Sequence, residues 1–153
     1  FWGCRKMNIK RTAASLLITL SMIACERPTV VKLDGGNPPR FVLSGSGKLD
    51  EIVVFAPEQE PIAKSDPFDR TYAIWDVIPA GEGESVKALL DDVQTVTYGI
   101  VPRGYKQMKP NVGQAPALIE GKRYKYWFVT VNAPWGAGYF KIRDGKVVAV
   151  DGP

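Results

Sequence analysis

Apolar and β-branched residues recur after residue 40 in short runs that are separated by glycine and proline. Such runs, with turn residues between them and almost no helical periodicity, are typical of an antiparallel sandwich. The sequence therefore predicts an all-β sandwich. Its strands are predicted over residues 41–43, 49–55, 71–78, 93–101, 123–131, 139–143 and 146–150.

Three other segments complete this prediction. Asp144-Gly145 stands between the last two runs and predicts a two-residue hairpin turn. Residues 85–92 (SVKALLDD) are the one segment that predicts a helix, of about two turns with Ser85 as its N-cap. Residues 103–117, which include two prolines, predict a loop.

The most aromatic run alternates with period two, which places Tyr124, Tyr126 and Phe128 on one face and Trp127 on the other. Its motif resembles the signature of fibronectin type III domains. That resemblance covers residues 39–143 and implies a single immunoglobulin-like sandwich in which the Tyr124 hydroxyl bonds to nearby backbone. The motif comprises Leu118, Gly121, Tyr124, Tyr126, Phe128, Thr130 and Asn132, followed by Gly136 and Gly138.

The N-terminal region is organised as an export signal that ends at a cysteine. Lys10 and Arg11 precede an uncharged apolar stretch, residues 12–24, which is too short to span a membrane. The stretch ends in Met-Ile-Ala-Cys, which resembles the bacterial lipobox. That resemblance implies cleavage between Ala24 and Cys25, a diacylglyceryl group on the Cys25 sulfur and a further acyl chain such as palmitate on the new amino terminus.

This interpretation divides the chain into three parts and predicts that the protein is located in the cell envelope. Residues 1–24 are an upstream extension and signal peptide, residues 25–39 a lipidated tether, and residues 40–153 the sandwich. The fourteen residues 26–39 reach at most about 45–50 Å when fully extended. Glu26 after the cysteine, in place of Asp, favours the outer membrane of a Gram-negative envelope, with the sandwich facing the periplasm.

The charge and cysteine content argue against a nucleic-acid partner and against a disulfide bond. Four of the 20 basic residues precede Cys25, so the chain after cleavage has 16 basic and 16 acidic residues. A net charge of zero is no argument for nucleic-acid binding, and no nucleic-acid partner is expected. Cys4 and Cys25 are the only cysteines, which leaves no disulfide after cleavage.

The residue types that catalysis most often uses are scarce. The chain has no histidine, and after lipidation it has no free thiol. Glu58, Glu60, Asp66 and Asp69 lie in one polar loop, where calcium binding and simple solvation are the alternatives. Catalysis by carboxylates alone is a remote third alternative. We therefore expect no enzyme activity, no metal and no cofactor.

Two aromatic residues are candidates for contacting a partner. Trp135 lies in Asn-Ala-Pro-Trp-Gly, a turn with no periodic pattern that would bury it, and Tyr105 follows Pro-Arg-Gly. Folding of Trp135 back onto the sandwich edge is the alternative. Two functions are open: a protein-binding or structural module on a lipid anchor, with an unknown envelope protein as partner, or a module that binds carbohydrate or peptidoglycan.

Overall fold

The computed structural model describes residues 26–56 and 69–152, which form two antiparallel β-sheets packed face to face. The smaller sheet has the order β1-β2-β5, and the larger has the order β6-β4-β3-β7-β8-β9. This architecture confirms the predicted all-β sandwich. The strands are β1 (Val30–Asp34), β2 (Arg40–Ser44), β3 (Lys48–Phe55), β4 (Ala73–Pro79), β5 (Thr95–Thr97), β6 (Tyr105–Lys109), β7 (Arg123–Val131), β8 (Gly136–Arg143) and β9 (Lys146–Val150).

The strands are divided between the sheets as in immunoglobulin-like sandwiches. The first, second and fifth strands share one sheet, while β3, β7 and β8 are neighbours in the other. Strands β6 and β9 extend the larger sheet at its two edges. The larger sheet therefore has a broad outer face that the smaller sheet does not cover.

The core lies between the inner faces and is rich in aromatic rings. Phe41 of β2 reaches across from the smaller sheet and lies 5.1 Å from Phe128 and 5.2 Å from Tyr126, measured between ring centroids. Phe128 is fully buried, and Tyr124 and Tyr126 are nearly so. The alternation predicted for this strand is thus confirmed, because all three rings face the core and Trp127 faces outward.

Three residues of the aromatic motif make contacts that explain why these residue types stand at their positions. The hydroxyl of Tyr124 accepts a hydrogen bond from the backbone N–H of Ile119 (2.8 Å), which is the bond expected of a corner tyrosine. A Cβ on Gly136 would come within 2.5 Å of Val31, and one on Gly138 would overlap the Tyr126 ring. Both glycines are therefore required by close packing.

The predicted hairpin is also confirmed. Strands β8 and β9 pair in register from Tyr139↔Val150 to Arg143↔Lys146, with Asp144 and Gly145 as the turn. Both turn residues have positive φ, 53° and 67°, as a type I′ turn requires. Asp and Gly tolerate this conformation better than other residues.

The predicted two-turn helix over residues 85–92 is wrong. The structure has a 3₁₀ turn at Glu84–Val86, then extended backbone, and only a single helical turn, α1 (Leu90–Val93). No side chain caps either element, so Ser85 is not an N-cap. Ala88 instead accepts a hydrogen bond from the N–H of Leu49 (2.8 Å). Pairing with the start of β3 overrides the local helix preference.

One strand prediction and one loop prediction in the following region also need correction. Residues 93–101 contain only the short strand β5, because Gly99 turns the chain with φ 80°. Residues 103–117 are not all loop: β6 (Tyr105–Lys109) pairs with β4 at the edge of the larger sheet. Strand β6 has few apolar residues because only Tyr105 is buried there.

The segment predicted as a tether is largely part of the sandwich. Strand β1 pairs with β2 along its whole length, from Val30↔Ser44 to Asp34↔Arg40. Residues before β1 also contact the sandwich. The N–H of Ser46 donates to the carbonyl of Arg27 (3.2 Å), and Thr29 is buried. The sandwich thus begins about ten residues earlier than the predicted boundary at residue 40.

Candidate functional site

The outer face of the larger sheet has its own aromatic cluster. Val53 and Phe55 of β3 are buried there, with Ala73 of β4 and the partly exposed Trp127 of β7. The Phe55 and Trp127 rings meet edge to face, with centroids 5.1 Å apart. Solvent-facing positions of a sheet are usually polar, so an apolar cluster on this face is unusual, and Trp127 is a partly exposed member of it.

Trp135 extends this cluster toward one end of the sandwich. It is 40 % exposed, and its ring centroid lies 6.5 Å from that of Trp127, with the ring planes tilted by 42°. The turn that holds it is tightly fixed. Its Pro134 carbonyl accepts a hydrogen bond from the N–H of Thr29 (3.2 Å), and the hydroxyls of Thr29 and Thr130 are 2.9 Å apart. Trp135 is thus an exposed ring on a rigid support that the N-terminal segment helps to build.

Two cations lie over the Trp127 ring. The Lys125 ammonium is 4.5 Å from the ring centroid, and the Arg70 guanidinium carbon is 5.5 Å from it. Both distances are within the range of cation–π attraction. The Arg70 guanidinium also forms a two-pronged ion pair with Glu51. Two cationic side chains therefore pack against Trp127.

Asp76 on β4 is the unusual acid of this face. It is buried, and among the described residues its Oδ1 atom has no hydrogen-bond partner. Burial raises the pKa of Asp76 from 3.8 to about 6; the negative charge of Glu51 adds to this rise, and Arg70 and Lys109 oppose it. A buried carboxylate of this kind is costly in its charged form. The surroundings of Asp76 favour its protonated form.

Tyr105, a candidate from the sequence, is not on the surface. It is 8 % exposed, and its hydroxyl donates to the carbonyl of Leu49 (2.8 Å) while accepting from the N–H of Ala88 (3.2 Å). This ring therefore packs in the core and fixes the extended segment before α1. The short exposed turn that precedes it misled the sequence interpretation, since β6 begins at Tyr105 itself.

The other sequence candidates are distributed as follows. Ala24 and Cys25 lie outside the described residues, as do Glu58, Glu60 and Asp66. Asp69 is described, and its Oδ1 atom accepts hydrogen bonds from the N–H and hydroxyl of Thr71. Within residues 26–56 and 69–152, no group of three metal-ligating side chains comes together.

The surface also has two open depressions, and Ala73 of the aromatic cluster lines one of them. The larger one has a volume of about 530 Å³ between β4 and β6, and the other, of about 440 Å³, lies beside Tyr98. Tyr98 donates its hydroxyl proton to the carbonyl of Pro116 (2.7 Å). Burial raises the pKa of Tyr98 far above its usual range, so this phenol does not act as a base. No carboxylate lines either depression.

Sequence reasoning found Trp135 but missed the groups around it. Trp127 was identified as outward-facing. Arg70, which lies over its ring, and Glu51, which pairs with Arg70, were not identified, because both lie far from Trp127 in the chain. The period-two alternation of β7 could have signalled Lys125 alone, since it places Lys125 and Trp127 on one face.

Comparison with protein families, with characterised proteins and with solved structures finds no match for this chain. Within the described ranges, no helix is long and apolar enough to cross a membrane.

Proposed function

We propose that this protein is a non-catalytic bacterial envelope lipoprotein whose β-sandwich binds another envelope protein. In this proposal Cys25 carries the lipid after cleavage between Ala24 and Cys25, and the outer membrane is the site of attachment, with the sandwich in the periplasm. The lipobox-like Met-Ile-Ala-Cys supports the anchor. The lack of histidine, and of a free thiol once Cys25 is acylated, supports a binding role rather than catalysis.

The exposed Trp135 beside Trp127 is the observation that carries the binding role. A large aromatic side chain on a fixed support supplies contact area with little loss of conformational entropy. Loops at the end of a rigid sandwich are also where binding residues tend to collect. Trp135 is therefore the proposed centre of the contact, with Trp127 as its support.

The relative tilt of the two tryptophans favours protein over carbohydrate as the ligand. Sugar rings stack on flat aromatic platforms, whereas these two ring planes diverge by 42° and Lys125 and Arg70 lie over Trp127. A tilted pair fits better around a protruding side chain of a protein partner. The carbohydrate-binding alternative therefore ranks second.

The test is substitution of Trp135 in the lipidated protein. Crosslinking in isolated membranes identifies the partner, and titration of the purified partner gives the dissociation constant. We expect Trp135→Ala to raise that constant about 30-fold, which corresponds to a loss of about 2 kcal/mol. Because the ring is partly exposed, the free energy of unfolding should fall by only about 1 kcal/mol.

Ile100→Ala is the matched control. Ile100 is 63 % exposed and follows β5, near the end of the sandwich opposite Trp135, so its truncation should change neither binding nor stability. The proposal would be contradicted if Trp135→Ala bound the partner normally. A loss of more than about 2 kcal/mol in stability would instead assign Trp135 a structural role.

A further inference from the structure

The outer positions of β7, β8 and β9 form a surface on which every charged side chain is basic. Alternation along the three strands places every second residue on this face. None of the outward positions of these strands has a carboxylate. We refer to this surface as the cationic face; its charged members are Arg123, Lys125, Lys141, Arg143 and Lys146.

Two pairs of like charges stand directly opposite each other on this face. Arg123 is the cross-strand partner of Lys141, and Arg143 is the partner of Lys146. Like charges at directly opposite positions destabilise a sheet. None of these four residues takes part in the ion pairs of the described chain. The free protein thus has a repulsion that a bound anion would relieve.

The face is accessible and contains apolar side chains between its charges. Arg143 and Lys146 are exposed, and Val148, next to Lys141, is 38 % exposed. The Arg123 guanidinium lies 5.6 Å from the centroid of the Tyr139 ring, which holds that cation outward on an aromatic support. Cations interleaved with apolar groups on a flat sheet suit an acidic protein surface.

The position of the face relative to the N-terminus favours a protein over the membrane. Thr29 is fixed beside Pro134, at the end of the sandwich where β8 begins. The Arg143–Lys146 pair lies at the other end of β8, seven residues or about 23 Å further on. The Glu120 carboxylate at this end accepts hydrogen bonds from the N–H groups of Asp144 and Gly145. If Cys25 holds the first end at the bilayer, the Arg143–Lys146 pair lies on the side away from the lipid.

We infer that the cationic face binds an acidic surface of the protein partner, next to the contact made by Trp135. This inference rests on the proposed function and adds the chemistry of the partner to it. Trp135 and Trp127 supply the apolar contact at the anchored end of the face. The opposed cation pairs supply electrostatic attraction that speeds association and selects acidic partners.

The test uses the full lipidated protein in a neutral detergent with poly-L-glutamate as the probe. The charge-reversal variant is Lys141→Glu/Lys146→Glu, which also replaces both repulsive pairs with attractive ones and so should fold. The control is Lys32→Glu/Lys106→Glu, which makes the same change in net charge at two exposed positions off the face. We expect the first variant to weaken binding about 10-fold or more and the control to weaken it less than about 3-fold.

Salt and alternative probes complete the test. Raising the salt concentration from about 50 mM to about 300 mM should weaken wild-type binding about 10-fold, because exposed charges are screened. Equal weakening in both variants, or no binding of poly-L-glutamate, would overturn the inference. So would a preference for heparin or for phosphatidylglycerol vesicles at equal charge, which would identify a glycan or a membrane as the ligand.

The two proposals fail in distinguishable ways with the crosslinked partner. If Trp135→Ala loses the partner while Lys141→Glu/Lys146→Glu retains it, the protein-binding function stands and the acidic partner is excluded. If both variants retain the partner, the proposed function itself fails. If both lose it while the Lys32→Glu/Lys106→Glu control binds, both proposals hold.

Discussion

At the scale of single residues, Asp76 has the surroundings least suited to its charged form. It is buried in the outer face next to Val53 of β3. The negative charge of the nearby Glu51 adds to the rise in its pKa. The cations Arg70 and Lys109 offset only part of this cost. Since nothing in the proposed binding role needs a carboxylate at this position, the simplest consequence of Asp76 is a loss of stability at high pH.

We predict that Asp76→Asn stabilises the protein in a pH-dependent way. The folded-state pKa of about 6 lies above the ordinary value of 3.8, so the folded protein binds more protons between these values. Stability should therefore fall as the pH rises from about 4 to about 7. Asn resembles the protonated acid, and the variant should be more stable by about 1–3 kcal/mol at pH 8 and no different below pH 4.

Thermal melts across this pH range measure the effect. Asp151→Asn is the control. Asp151 is exposed and lies beyond the last strand, so this substitution removes the same charge without changing a buried group. A stability difference between Asp76→Asn and wild type that stayed constant with pH would show that the carboxylate is not strained by burial. A destabilised Asp76→Asn at pH 8 would show that its charge is needed to hold Arg70 or Lys109.

At the scale of secondary structure, the N-terminal strand decides where the folded domain begins. We predict that a chain starting at Gly36, which lacks β1, is less stable than one starting at Arg27 by at least about 3 kcal/mol. The loss comes from the β1–β2 ladder, from the half-buried Val31 and Leu33, and from the bond between Thr29 and Thr130. Both chains lack the lipid, so denaturant titration compares them directly.

Equal stability of the two chains would restore the tether interpretation of residues 26–39. A chain that starts at Gly36 and fails to fold would agree with the prediction, provided that the chain from Arg27 folds. A second variant, Gly136→Ala, keeps every residue of β1 but drives a methyl group into Val31. It should lower stability as well, because the added methyl group pushes β1 away from the start of β8.

Patterns along the chain predicted the elements whose neighbours in sequence are also their neighbours in space. The β8–β9 hairpin and the aromatic strand β7 were predicted correctly because turn chemistry and period-two alternation are local. The helix over residues 85–92 was predicted wrongly because the backbone there pairs with β3, some forty residues earlier. Strand β6 was missed because an edge strand buries few side chains.

The residues of the candidate site were likewise predicted only where the local sequence is sufficient. Trp135 was identified as a contact candidate from its place in a Pro-Trp-Gly turn, and the structure leaves it partly exposed. The Arg143–Lys146 pair follows from the predicted hairpin, because a two-residue turn places the residues on either side of it opposite each other. The Arg123–Lys141 pair could not be predicted, because it depends on the register between β7 and β8. A count of charges does not show it either, because the chain that would remain after cleavage at Cys25 has as many acidic as basic residues.

At the scale of the whole molecule, the sandwich begins closer to Cys25 than the sequence predicted, and this shortens the link between the sandwich and the proposed lipid anchor. Arg27 and Thr29 are bonded to the loops at one end, so only Glu26 separates Cys25 from the first bonded residue. A link of two residues reaches only about 7 Å, far less than the tether that the sequence suggested. In the proposed anchored form, the end with Trp135 therefore lies close to the membrane and the hairpin turn at Asp144 lies far from it.

The anchor itself gives the last prediction. Because one acyl chain binds a bilayer only marginally and two or more hold it stably, mature protein acylated at Cys25 should fractionate with membranes. Intact mass spectrometry should show a chain that begins at Cys25 and exceeds its peptide mass by the acyl groups. Cys25→Ser should abolish this modification and leave an uncleaved precursor, with the sandwich as stable as before because Cys25 precedes its first bonded residue. An unmodified Cys25 thiol in the mature protein would contradict the lipid anchor, while the binding role of Trp135 would remain open to its own test.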